Sequence, residues 1–264
     1  MARSSLNNVK KLISNAKKSL EPEQAFITDL KRSIEIGETK HSRKPSKYYK
    51  PSSMNCIRQM FYVRTGKKPD SGDASYVNWG ICNSGTDTHE RVQKAVAEMR
   101  ENGFDCDYVD VGVFVKQRGL QDLKVTRKEG METHLIHQNL KLSFLCDGII
   151  RYQNHYYILE IKTESGSKWY SRMGVDPSHY KQAICYSTAF RISEVLFVYI
   201  NRDIFDFKPY IFEVTDEMKS DLVGYIDDCE GYVKRLIAPP KPADVAKKTC
   251  EYCNYRSYCR KELS

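Results

Sequence analysis

With 264 residues, 41% of them hydrophobic and 11% aromatic, the chain has material for one ordinary domain with appendages or for two small ones. No apolar run is as long as a membrane span and the N-terminus lacks a signal-peptide apolar region, so a soluble intracellular protein is expected. The net charge of +8 is concentrated early, since residues 1–50 hold 12 Lys/Arg against 5 Asp/Glu.

In chain order, Leu6, Val9, Leu12 and Ile13 recur at helical spacing, and residues 1–38 read as a polar helical segment ending near Gly37. Residues 39–51 form a basic loop. Ser52 or Ser53 is a plausible cap for a helix through Arg64, stopped by Gly66. From Lys40 to Lys68 there are nine basic residues and no acidic one, with Tyr48, Tyr49, Phe61 and Tyr62 interleaved. Cations neutralise phosphates and aromatic rings stack on unpaired bases, so this stretch is a candidate nucleic-acid surface as well as a solvated basic face. Ser84 or Thr86 is expected to cap a helix through Met99 that terminates at Gly103. Residues 107–116 alternate as a strand, and 118–138 read as a hydrophilic excursion or long hairpin. Two β-rich runs, 140–152 and 156–163, flank Gln153-Asn154-His155 as a hairpin. Asp176-Pro177 opens a helix to about Arg191. Strands at 194–201 and 210–214 follow, then a helix from Asp216 to Leu236 before Pro239-Pro240. The order is that of an α/β fold with a mixed sheet. The expected organisation is a basic, mostly helical extension over 1–51, a core over 52–238 and a cysteine segment over 239–264.

Alternation puts Glu160 and Lys162 on one face of their strand, with Leu159 and Ile161 on the other. A hairpin centred on Asn154-His155 sets Asp147 opposite Lys162 and Ile149 opposite Glu160, so Asp147, Glu160 and Lys162 converge. Two carboxylates and an ammonium among apolar residues suit Mg²⁺ or Mn²⁺ and activation of a water. A cross-strand salt bridge is the plain structural alternative.

Nine cysteines without a secretory signal point to thiols or metal ligands rather than disulfides. Cys250-x₂-Cys253-x₅-Cys259 is a metal-ligand spacing that lacks a fourth member, for which Cys229 and Cys56 are both candidates. Cys82, Cys106, Cys146, Cys185 and Cys229 read as small core residues.

The succession Gly85-Thr-Asp-Thr-His89-Glu90, Asp147-Gly148, Glu160-Ile-Lys162 and Gln182-Ala-Ile-Cys-Tyr186 resembles the RecB-type branch of the PD-(D/E)XK nucleases. The resemblance implies a restriction-endonuclease-like core in which His89, Asp147, Glu160 and the Ile161 carbonyl ligate the metal. Lys162 would be the catalytic lysine, and Gln182 and Tyr186 would position DNA or Lys162. Glu90 and Glu164 are spare carboxylates. The cysteines resemble those of iron–sulfur members, the CRISPR-associated exonucleases and the AddB nuclease domain. That likeness implies a [4Fe–4S] cluster on Cys56, Cys250, Cys253 and Cys259, with zinc the alternative from the spacing alone. The basic helix carrying Cys56 and Arg58, together with the N-terminal arm, would track the DNA backbone.

The resemblance covers about residues 52–260 and leaves out 1–50 and 118–138. The implied activity is a Mg²⁺- or Mn²⁺-dependent DNA exonuclease on single strands or duplex ends, in recombination, phage DNA processing or CRISPR adaptation with partner proteins. Structure-specific endonuclease and non-catalytic, cluster-stabilised DNA-binding protein are the alternatives. Gly66-Lys67-Lys68 lacks the remainder of a phosphate-binding loop, so no fused helicase is expected.

Overall fold

The computed structural model describes residues 21–40 and 44–263. The helical reading of residues 1–20 lies outside them. The chain divides into two compact units, Met1–Ser42 with Ser71–Asn83 and Arg43–Asp70 with Ser84–Ser264.

In chain order the elements are α1 (Pro22–Thr39), a 3-10 turn (Pro51–Ser53), α2 (Ile57–Arg64), α3 (Tyr76–Glu98), β1 (Cys106–Val109), α4 (Val111–Gln117), β2 (Leu123–Glu129), β3 (Glu132–His137), β4 (Leu142–Cys146), β5 (Gly148–Tyr152) and β6 (His155–Glu164). There follow α5 (Gly166–Tyr170), a 3-10 turn (Pro177–His179), α6 (Tyr180–Phe190), β7 (Glu194–Asn201), β8 (Phe207–Glu213), α7 (Asp216–Arg235), α8 (Lys247–Glu251) and α9 (Arg256–Leu263). No helix among the described residues is long and apolar enough to cross a membrane.

In the smaller unit, α1 carries exposed Phe26 and Leu30, and the Lys31 ammonium lies 4.8 Å over the Tyr76 ring. Helix α3 starts here rather than at Ser84 or Thr86. The Ser75 hydroxyl accepts from the Asn78 amide at 3.2 Å, which caps it.

The larger unit is a mixed α/β body around a five-stranded sheet of order β1-β5-β6-β7-β8, in which only β6 and β7 run parallel. A separate antiparallel sheet has the order β2-β3-β4. On one face of the central sheet Leu159, Ile161 and Ile200 pack with Val92 of α3. On the other, Ile158, Val195 and Phe197 join Ala183, Tyr186 and Phe190 of α6 and Leu222 and Ile226 of α7 in the main core. Helices thus cover both faces.

Four expectations need correction. Residues 107–116 are not one strand. Asp110 accepts from the Val113 amide at 2.9 Å and caps α4, which buries Val111, Phe114 and Val115 at helical spacing. The helix after Pro51 is split, and α2 is capped at Cys56 rather than Ser52 or Ser53. The run 140–152 breaks at Asp147, where β4 leaves to pair with β3 and β5 begins to pair with β1 and β6. The hairpin is also two residues out of the expected register. A two-residue turn, Gln153 (φ 50°) and Asn154 (φ 63°), pairs Tyr152 with His155 and Gly148 with Leu159. Because side chains alternate with a period of two, an even offset leaves every residue on its expected face. The partner of Asp147 in the extrapolated ladder is therefore Glu160, not Lys162.

Candidate metal centre and cysteine cavity

The break at Asp147 frees its backbone from both ladders, and side chains take over. Gln93 of α3 donates to the Asp147 carbonyl at 2.7 Å, and the Tyr108 hydroxyl donates to the same oxygen. Tyr108 reaches it by lying across Gly148, where an added Cβ would sit 2.7 Å from the ring. That close approach is why glycine follows the aspartate.

The Asp147 carboxylate faces β6 and accepts the Ile161 amide at 2.7 Å. The N–H and C=O of one strand residue point to the same edge, so the Ile161 carbonyl faces Asp147 as well. Glu160 is 3% exposed. Its Oε1 accepts from Lys162 Nζ at 2.5 Å and from Gln182 Nε2 at 2.7 Å, while its buried Oε2 has no hydrogen-bond partner. Gln182 also accepts from Lys162 Nζ at 3.1 Å and donates to the Tyr186 hydroxyl at 2.9 Å, which in turn donates to the Leu145 carbonyl at 3.0 Å. Gln182 and Tyr186, one turn apart on α6, therefore fix Lys162 and Glu160 from above.

His89 of α3 completes the group, its Nδ1 lying 3.6 Å from Asp147 Oδ2 and 3.9 Å from Glu132 Oε1. His89, Glu132 and Asp147 offer ligand atoms within 4.8 Å of one another, the one such group among the described residues. A cleft of about 400 Å³ opens above, lined by these side chains together with Lys50, Arg127, His134 and Ser143.

The electrostatics are those of a site short of positive charge. Burial lifts the Glu160 carboxyl to about 7, with Lys162 opposing and Asp147 reinforcing the shift. Burial lowers His89, but Asp147, Glu132 and Glu160 outweigh it and hold the imidazole at about 9. Lys162 is raised despite its burial, by Glu160 and Asp147, and stays charged.

Of the residues expected at a site, His89, Asp147, Glu160, Lys162, Gln182 and Tyr186 come together. Glu132, Tyr108 and Gln93 belong here too and were not foreseen. The spare carboxylates belong elsewhere: Glu164 is buried against Arg172 at 2.6 Å and Lys168 at 2.9 Å, and exposed Glu90 pairs with Lys94 at 2.7 Å.

Cys56, Cys250, Cys253 and Cys259 line a second cavity of about 250 Å³. Cys56 precedes α2, Cys250 lies in α8, Cys253 follows it and Cys259 lies in α9. The Tyr255 amide donates to Cys253 Sγ at 3.4 Å. Burial, opposed by the Tyr255 amide and reinforced by the other three cysteines, pushes the Cys253 thiol up to about 11. Burial likewise raises Cys56, opposed by the first amides of α2 and reinforced by Cys250 and Cys259. Cys229 lies outside this cavity, buried with its Sγ 3.8 Å from the Ile57 carbonyl. Cys106, Cys146 and Cys185 are buried as expected, but Cys82 is exposed.

Arg58, expected to track DNA, is 4% exposed and committed to the fold. It donates to the Pro239 carbonyl at 2.7 Å and to Glu262 at 2.6 Å, and Glu262 also accepts from Tyr62 at 2.7 Å. With Tyr62 stacked on Tyr255 at 5.9 Å, α2 is bound to the C-terminal segment that carries three of the cysteines.

No family model matches the sequence, and no curated protein does. A solved structure described as "Crystal structure of SSO0001" superposes with a TM-score of 0.46 and 16% identity, over 90% of this chain and 98% of that one.

Proposed function

We propose that the protein is a Mg²⁺- or Mn²⁺-dependent deoxyribonuclease of the RecB-type PD-(D/E)XK class, carrying a [4Fe–4S] cluster. The observation that carries the reading is Glu160 Oε2, a buried carboxylate oxygen without a hydrogen-bond partner on a side chain that lines the same cleft as Asp147 and His89. An unmatched buried acceptor costs about 1–3 kcal/mol, and a hard cation supplies what it lacks. Asp147, Glu160, His89 and the Ile161 carbonyl are the donors that suit such an ion. Bound there, it would neutralise the scissile phosphate and acidify a water.

The remaining work falls to the chain's own groups. Lys162 is charged, and Glu160 and Gln182 hold its ammonium at fixed distances, so it can orient the attacking water and offset charge on the phosphate. Tyr186 secures Gln182. Lys50 and Arg127 on the cleft wall supply cations for a phosphate backbone.

The cysteine cavity supports the cluster. Four thiols share one chamber, which meets the four-ligand need of a cluster, and their order along the chain is that of the iron–sulfur members they resemble. With the Cys56 and Cys253 thiols pushed up by burial, cluster assembly must release protons. The cluster would staple α2 to the C-terminal segment.

Exonuclease action on single strands or duplex ends is the favoured mode, in recombination, phage DNA processing or CRISPR adaptation. Incubation with linear and circular single-stranded DNA in Mn²⁺ or Mg²⁺, against a chelator control, tests it. Metal-dependent loss of linear DNA alone is expected. Cleaved circles would make the enzyme an endonuclease, and intact DNA of both forms would leave a DNA-binding protein.

A further inference from the structure

Resting on the metal-centre reading above, we propose that Glu132 is an additional ligand to the cation, supplied from the three-stranded sheet, so that the ion ties that sheet to the central one. The register of both ladders points to it. Strand β3 pairs with β4 as far as Thr133 opposite Cys146, and β5 pairs with β6 from Gly148 opposite Leu159. One step further in each ladder sets Glu132 on one side of Asp147 and Glu160 on the other. That order lines up Glu132 of β3, Asp147 of the β4–β5 junction and Glu160 of β6, at the point where the sheets part and no backbone ladder joins them.

Independent contacts hold that arrangement in place. The Tyr108 hydroxyl that donates to the Asp147 carbonyl is also 3.3 Å from the Met131 carbonyl, which anchors the residue before Glu132 beside Asp147. Glu132 Oε1 is 3.9 Å from His89 Nδ1, and the ligand atoms of His89, Glu132 and Asp147 are mutually within 4.8 Å. Buried Glu160, with its unpartnered Oε2, lines the same cleft and is the sign that this acidic row is built for a cation. The three carboxylates hold His89 and Lys162 in their charged forms, which marks the negative potential that a divalent ion would meet between them.

The arrangement has a mechanical consequence. Arg127 on β2, His134 on β3 and Ser143 on β4 line the same cleft as Glu160. A cation shared between Glu132 and the central sheet fixes the position of those strands, and with them the side chains that meet a phosphate strand. The hydrophilic hairpin is then part of the site and not an appendage to it.

The test is a Mn²⁺ titration of the full-length, cluster-containing protein, with free Mn²⁺ followed by electron paramagnetic resonance, and hydrogen exchange measured with and without Mn²⁺. Glu132→Gln is expected to weaken Mn²⁺ binding about tenfold or more, whereas Glu90→Gln leaves it unchanged. In the wild type, Mn²⁺ is expected to slow exchange in Leu123–Glu129 and Glu132–His137, a reading that needs no variant to fold. A smaller loss of affinity, or exchange in the hairpin that Mn²⁺ leaves unaltered, overturns the proposal. A wild type that binds Mn²⁺ through Glu132 but cuts no DNA refutes the nuclease reading and leaves this one standing.

Discussion

At the scale of single residues, Asp147 is where the molecule turns from architecture to chemistry. Its carbonyl is held by Gln93 and Tyr108 and its carboxylate by the Ile161 amide, so its position is fixed before any ligand arrives. Around it, protons occupy places that a cation would take: burial lifts Glu160 to about 7, and its carboxylate neighbours hold His89 at about 9. A ligand must lose its proton to bind, so Mn²⁺ affinity is expected to rise steadily from about pH 6 to about pH 9. Calorimetric titration at several pH values checks this, and a flat profile contradicts it. Asp147, Glu160 and Lys162 were legible in the sequence because strand alternation fixes faces, and an error of two in register leaves faces alone. Glu132 was not legible. Its place beside Asp147 depends on the pairing of β3 with β4, and nothing local to a hydrophilic stretch announces that.

Among elements, a densely tied junction seats α2. Glu230 on α7 accepts from Arg64 of α2 at 2.5 Å, from Tyr49 at 2.6 Å and from Lys141 at 2.5 Å. Burial alone would raise its carboxyl, but Arg64, Lys141 and Tyr49 together hold it at about 2, below the ordinary 4.5. A depressed carboxylate contributes stability that is complete above its unfolded value and disappears as pH falls through its folded one. Glu230→Gln is therefore expected to cost about 3–5 kcal/mol at neutral pH, as for breaking a buried ion pair. It is also expected to flatten the loss of stability between pH 4.5 and about 2. Urea unfolding at both pH values measures both effects, and an unchanged acid limb would contradict the assignment. The same scale explains the misreading of residues 107–116. Val109, Val111, Val113 and Val115 alternate as a strand does, but Asp110 caps a helix and Val113 is 50% exposed, so the helical face won.

Across the whole molecule, the carboxylate cleft and the cysteine cavity both belong to the larger unit. Covalent neighbours bring Cys250, Cys253 and Cys259 together, which is why the sequence spacing revealed them, while Cys56 reaches them only through the packing of α2 on the C-terminal segment. Purified without oxygen, the protein is expected to be brown and to contain iron and acid-labile sulfide. Cys56→Ser and Cys253→Ser should each lose the iron and lower the thermal midpoint to a similar degree, whereas Cys229→Ser keeps the colour. A colourless protein with stoichiometric zinc, or iron retained in Cys56→Ser, would contradict the cluster.

The central claim concerns the cleft, and the cleavage of end-labelled linear DNA under single-turnover conditions in Mn²⁺ tests it most directly. The wild type is expected to cut, and Glu160→Gln and Lys162→Ala are expected to fall by about 10²-fold or more while remaining folded. Cleavage at wild-type rates by either variant, or none by the wild type in Mn²⁺ or Mg²⁺, would contradict the claim.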